Sequence, residues 1–364
     1  MSGRSELKAL TGARGVVAWV VVLFHMRSMI LGVGAPGPLS YGYLGVDFFF
    51  VLSGFVIWLT YADRLQAEGL AGIPEFLKRR IARIWPLHLV MLAVAMLFAL
   101  ALGIVGHPDW AQYPPAELPL HVLLLQNWGF TGRLTWNVPA WSISCELAAY
   151  LLFPLLVLAV DWRKVPTLAL LGAALVFAGL LYAAFAAGGA TVLGQLILEL
   201  GVVRCLCEFA LGTIMCGLWL RWRAAPMLPA IGAAVASGLL LAAHAAGMVP
   251  QIAAIPLVFA GAVLVLALTA GMRGNPFEIA LVHYLGEISY ATYLGHWMLW
   301  MAFKLVFIHG ERIGWGPGVA FVAIVLAASV ALYHLVERPA QRWINALPLP
   351  RRLAAPLRPA APGA

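Results

Sequence analysis

Apolar residues run along this chain in long blocks and do not alternate with polar ones. Residues 165–187 carry no charge, and residues 226–271 hold His244 as their one ionisable group. A break at residues 247–251 divides the second block in two. About 20 apolar residues in a helix cross a hydrocarbon core roughly 30 Å thick, at 1.5 Å per residue. Backbone groups in lipid must find partners inside their own segment, so each block predicts a helix. Read this way, the chain holds about ten spans, at residues 12–30, 41–61, 85–105, 139–160, 165–187, 192–220, 226–246, 250–271, 282–308 and 316–336. The fold class is all-α, a polytopic transmembrane bundle occupying residues 1–345. Residues 346–364, rich in Pro, Ala and Arg, read as a disordered basic cytoplasmic tail near anionic lipid head groups.

Composition agrees with this pattern. The 364 residues are 63% hydrophobic and 10% charged, against about 25% charged in an ordinary soluble domain. The net charge of +8 does not point to nucleic acid, because the basic residues collect at the ends of the apolar blocks. Placing the N-terminus in the cytoplasm puts eighteen of the 23 Lys and Arg on that side and three on the other, with Arg204 and Lys304 inside spans. An odd number of spans would break that asymmetry, so both termini are expected in the cytoplasm. The basic start of the first span reads as an uncleaved signal anchor. The four cysteines lie in apolar segments without paired ligand spacing, so no metal site is expected.

A charge within the bilayer is costly and needs a partner, which makes the ionisable groups of the spans the functional candidates. Arg14 and His25 are eleven residues apart on the first span. They share one helix face, about 16 Å apart along the axis. Alone, this pair reads equally as a snorkelling arginine and a hydrogen-bonded core histidine. Asp47 enters the second span at a depth comparable to His25, where it either fixes the histidine tautomer or caps its helix. Gly42, Gly45 and Gly54 read as close helix-packing positions. Arg79, Arg80 and Arg83 cluster at one helix end; spacing alone favours lipid anchoring, and guanidinium forks also suit phosphate oxygens. Glu146 is expected in the outer half of the fourth span. Tyr293 and His296 share a face of the ninth, and Arg204 and Glu208 read as a structural i, i+4 ion pair. The outer loop 106–139 carries Trp110, Tyr113, Trp128, Phe130 and Trp136, which read as an interfacial belt or as stacking surfaces for sugar rings.

Six ordered motifs resemble the acyltransferase-3 family of integral membrane O-acyltransferases. They are Leu10-Thr-Gly-Ala-Arg14-Gly running on to His25, Gly45-Val-Asp47-Phe-Phe-Phe-Val-Leu-Ser53-Gly-Phe, and Arg79-Arg80-Ile-Ala-Arg83-Ile-Trp-Pro. The others are Trp141-Ser-Ile-Ser-Cys-Glu146, Leu285-Gly-Glu-Ile-Ser-Tyr290-Ala-Thr-Tyr293-Leu-Gly-His296, and Glu337-Arg-Pro. The resemblance implies ten spans in a bacterial cytoplasmic membrane. It also implies acyl-CoA as co-substrate with no permanently bound cofactor, and a hydroxyl acceptor outside the cytoplasm, commonly a sugar. It points to Arg14 and His25 as the central pair and links the arginine motif to donor binding. The expected reaction moves an acyl group, acetyl by preference, onto that hydroxyl, with His25 as general base oriented by Asp47. Trp141, Glu146, Tyr293 and His296 are expected to position the acceptor or to support the groups that do. The competing class is a transporter or flippase, which also buries charge near the midplane, but no inverted repeat is visible.

Overall fold

A computed structural model of the chain describes residues 7–31, 37–307 and 315–349. Most of the predicted tail lies outside the described residues. The helices in order are α1 (Lys8–Leu31), α2 (Gly45–Glu68), α3 (Ile73–Ile104), α4 (Leu118–Val122), α5 (Ala140–Ala159), α6 (Thr167–Ala187) and α7 (Ile197–Trp222). They continue with α8 (Met227–Ala245), α9 (Gln251–Leu268), α10 (Ala280–Glu287), α11 (Ser289–Phe307), α12 (Trp315–Leu332) and α13 (Arg338–Ala346). No strand occurs among the described residues. Helix occupies each of the ten predicted segments, and seven helical stretches are long and apolar enough to cross a membrane by length and composition. One of those stretches runs from Pro38 to Ile104 and contains both α2 and α3. The predicted ninth span is divided at Ile288 into α10 and α11. The all-α polytopic bundle is therefore observed.

Lipid tails are as apolar as leucine, so apolarity alone does not hold such helices together; close contact and internal polar bonds do. Two glycines set one of the tightest crossings. A Cβ on Gly54 would lie 1.9 Å from the Phe209 carbonyl oxygen, and one on Gly212 would lie 1.9 Å from that of Val51. Thus α2 and α7 meet backbone to backbone, as the second-span glycines predicted. The end of the bundle near Lys78–Arg83 is called here the basic end, and the opposite one the far end.

The far loop between α3 and α5 is built as structure. Tyr113 and Trp136 are buried, so neither serves as belt or stacking surface, while Trp110 and Phe130 are exposed. His121 Nε2 bonds Thr135 Oγ1 at 2.9 Å, and that hydroxyl donates to Glu117 at 2.6 Å. Burial pushes the His121 pKa down to about 4, so the ring is a neutral member of this network at pH 7. At the basic end, α12 runs into a π-helical turn, Tyr333–Glu337, before α13 begins. Such turns often occur at functional sites, and this one carries the buried Glu337 that pairs with Arg83.

Candidate active site: two chambers in series

Two cavities lie between the helices. The first is lined by Arg14 from α1, Ser53 from α2, Arg80 and Arg83 from α3, Glu146 and Tyr150 from α5, and Tyr290 and Tyr293 from α11. The second is lined by His25 from α1, Tyr43, Trp141 from α5, Arg204 from α7, and Tyr293. Val46 and Tyr293 line both, so the chambers adjoin at those two residues, called here the waist. The first chamber is the smaller, about 150 Å³ against about 380 Å³. The shared helix face predicted for Arg14 and His25 is realised as one wall along both chambers.

The basic chamber takes two of the three predicted arginines. Arg80 and Arg83 line it, three residues apart on α3. Arg79, one step round the helix, bonds Glu75 at 2.7 Å with 43% of its side chain exposed. That turn away from the cavity corrects the expectation that all three bind a donor. Arg80 donates to the Tyr61 hydroxyl at 2.6 Å and lies over the Tyr61 ring. Arg83 forms an ion pair with Glu337 and lies over Tyr290. Arg14 donates to the Gly286 carbonyl through Nε and Nη2, at 3.2 and 2.7 Å.

Glu146 lines this chamber and lies in the half of α5 nearer the far end, where the sequence placed it. Its Oε1 accepts the hydroxyls of Ser53 and Tyr150, the latter at 2.5 Å. Glu146 lies six residues into α5, roughly 9 Å from its start, level with Ser53, eight residues into α2.

His25, in the wall of the far chamber, pairs with the buried His296. His296 Nδ1 lies 2.6 Å from the Tyr293 carbonyl and 3.2 Å from that of Thr292. Carbonyls only accept, so Nδ1 carries the proton and Nε2 of His296 is an acceptor. His25 Nδ1 lies 3.0 Å from that Nε2 and 3.1 Å from the Val21 carbonyl, so it too is the protonated nitrogen. The unprotonated Nε2 of His25 is left as the basic atom on a ring that lines the cavity. Fixing one nitrogen by a neighbour's bond defines the role of the other.

Asp47 does not supply that orientation. Its carboxylate holds Arg204 in a two-point fork, 2.6 Å to Nε and 2.5 Å to Nη2, with both side chains buried. Arg204 Nη1 donates to the Leu193 carbonyl at 2.7 Å. The predicted Arg204–Glu208 ion pair is therefore replaced by an Asp47–Arg204 pair, with Glu208 buried beside it. Residues 157 apart cannot be matched by spacing along one helix; the α2–α7 crossing brings them together. Arg204, Ser53 and Tyr150 were missed as site residues. An isolated buried arginine facing an isolated buried aspartate was the available signal for the first. Trp141 and Tyr293 stand where acceptor-positioning residues were expected, with the Tyr293 hydroxyl 2.8 Å from Ser142 and 3.2 Å from the Pro139 carbonyl. Among the described residues no cluster of three or more His, Cys, Asp or Glu is arranged to hold a metal.

A chamber lined by His25 adjoins one lined by three arginines inside a bundle whose helices are long and apolar enough to cross a membrane. The chain belongs to the acyltransferase-3 family, whose profile, described as an acyltransferase domain, matches residues 7–334. It is 31% identical over 389 aligned positions to acyltransferase MdmB of Streptomyces mycarofaciens, covering 93% of each chain. It is 29% identical to exopolysaccharide production protein ExoZ of Rhizobium meliloti, covering 83% of this chain and 90% of that one. The O-acetyltransferase OatA of Staphylococcus aureus is 26% identical over a shorter stretch, 42% of this chain and 24% of OatA. No solved structure matches the chain. The protein is an integral membrane acyltransferase.

Proposed function

We propose that this protein moves an acetyl or similar acyl group from acyl-CoA, entering at the basic end, to a hydroxyl of a carbohydrate acceptor at the far end. The basic end is taken as cytoplasmic, where charge asymmetry places it. Arg14 and Arg80 receive phosphate oxygens of the donor, while Arg83, neutralised by Glu337, fixes that wall of the chamber. The thioester reaches the waist at Val46 and Tyr293. His25 Nε2 accepts the acceptor's hydroxyl proton while the oxygen attacks the thioester carbonyl; the C–O bond forms and the C–S bond breaks. The proton then passes to the departing thiolate. His296 holds His25 in the required tautomer. The names of two relatives support the acceptor and acyl classes: one is an exopolysaccharide production protein, the other an O-acetyltransferase.

The observation that carries this reading is the free His25 Nε2 in a chamber that adjoins the arginine chamber. The test is purified protein with labelled acetyl-CoA and a polysaccharide acceptor. Thiol release and label transfer are expected, and His25→Ala should reduce both about 10²–10⁴-fold while leaving the protein folded. Full transfer by that variant would end the proposal. Solute movement without thiol release would establish the transporter reading instead.

A further inference from the structure

The proposed mechanism uses the arginines and the histidines but not Glu146, the one carboxylate among the described residues that line the basic chamber. Its setting is unusual. Three arginines line the same cavity, yet no cation lies within ion-pair distance of Glu146 among the described residues. Arg83 is taken by Glu337, Arg80 by Tyr61, and Arg14 by Gly286. Two hydroxyls, from Ser53 and Tyr150, both donate to Oε1. Oε2 carries no hydrogen bond from a described residue. The carboxylate is thus held rigidly by one oxygen, and the other is an uncommitted acceptor in a cavity wall. Such a group selects a ligand that brings an N–H or O–H donor; an anionic phosphate it would repel.

Position along α2 gives the order of features. Val46 marks the waist, Ser53 with Glu146 follows about 10 Å toward the basic end, and Tyr61 with Arg80 about 22 Å from the waist. A donor threaded this way has its thioester at the waist and its phosphates at Arg80. The part that passes Glu146 is the pantetheine arm, with two amide N–H groups and a hydroxyl on an otherwise apolar chain. The wall around Glu146, with Phe49, Leu52, Val56 and Ile84, is correspondingly apolar.

We propose that Glu146 is a donor-binding residue whose Oε2 accepts a hydrogen bond from the amide or hydroxyl of a pantetheine arm, with Ser53 and Tyr150 fixing its aim. The inference rests on the reading that a thioester donor enters through the basic chamber. Coenzyme A and an acyl carrier protein present the same arm, and the assay separates them.

The experiment measures thiol release from acetyl-CoA, acetyl-pantetheine, an acetylated carrier protein and S-ethyl thioacetate, which has no arm. Glu146→Gln should raise KM for acetyl-CoA and acetyl-pantetheine alike, roughly 10- to 100-fold as expected for a lost bond to a charged group, with kcat changed far less. Turnover of S-ethyl thioacetate should be unchanged. Faster use of the carrier protein than of acetyl-CoA would name the carrier as source and leave the arm assignment standing. Ser53→Ala keeps the carboxylate but loosens it, and should raise the same two KM values by a smaller factor; it carries the test if Glu146→Gln does not fold. An equal loss for S-ethyl thioacetate, or an unaltered KM for acetyl-pantetheine, overturns the role of Glu146 alone. No thiol release from any donor by the unaltered protein would overturn the donor reading as well.

Discussion

The two chambers contain the same kinds of charged group and use them in opposite ways. In the far chamber Arg204 is closed off by a two-point bond to Asp47 and a third to Leu193. In the basic chamber Arg80 bonds a neutral hydroxyl and a ring face. A buried cation neutralised by its own carboxylate holds helices in register but has little charge left for a ligand. A cation held by neutral oxygens keeps its charge and can meet an anion. Burial alone therefore does not identify the functional cation; the identity of its partner does.

The largest expected effect comes from opening the closed pair. Arg204→Met leaves Asp47 buried without its counter-charge and should destabilise the protein by about 3–5 kcal/mol. Adding Asp47→Leu should recover most of that loss, since an apolar pair of similar volume is often tolerated. Thermal unfolding in detergent checks both; a double variant as unstable as the single one would show that the pair does more than hold α2 to α7.

Next comes the histidine pair. His296→Ala removes the group that fixes the His25 tautomer and should lower kcat roughly 10–100-fold, the usual scale for a residue that orients a histidine from behind. A variant with unchanged kcat would return the orienting role to some other group. The smallest effect sharpens the basic chamber. Arg80→Ala should raise the KM for acetyl-CoA about tenfold and leave acetyl-pantetheine untouched, because only the former brings phosphates. Arg79→Ala, outside the cavity and paired to Glu75, should change neither. Equal effects of the two substitutions would reduce the cluster to a lipid anchor.

The amino-acid sequence by itself determined that the chain is a helical membrane bundle, because long apolar blocks leave the backbone no other way to satisfy its hydrogen bonds in lipid. It also placed Arg14 and His25 on one face, since the helical repeat is local, and its ordered motifs pointed to the family. The tertiary structure alone decided which charges meet. Asp47 lay at a depth suited to His25, yet the crossing set by Gly54 and Gly212 delivers it to Arg204 instead. Arg79 and Arg80 are neighbours in the chain, but a rotation of about 100° per residue sends one toward Glu75 outside and the other into the cavity. Periodicity states which residues share a helix face. What that face meets depends on contacts between segments more than a hundred residues apart, and no local pattern encodes them.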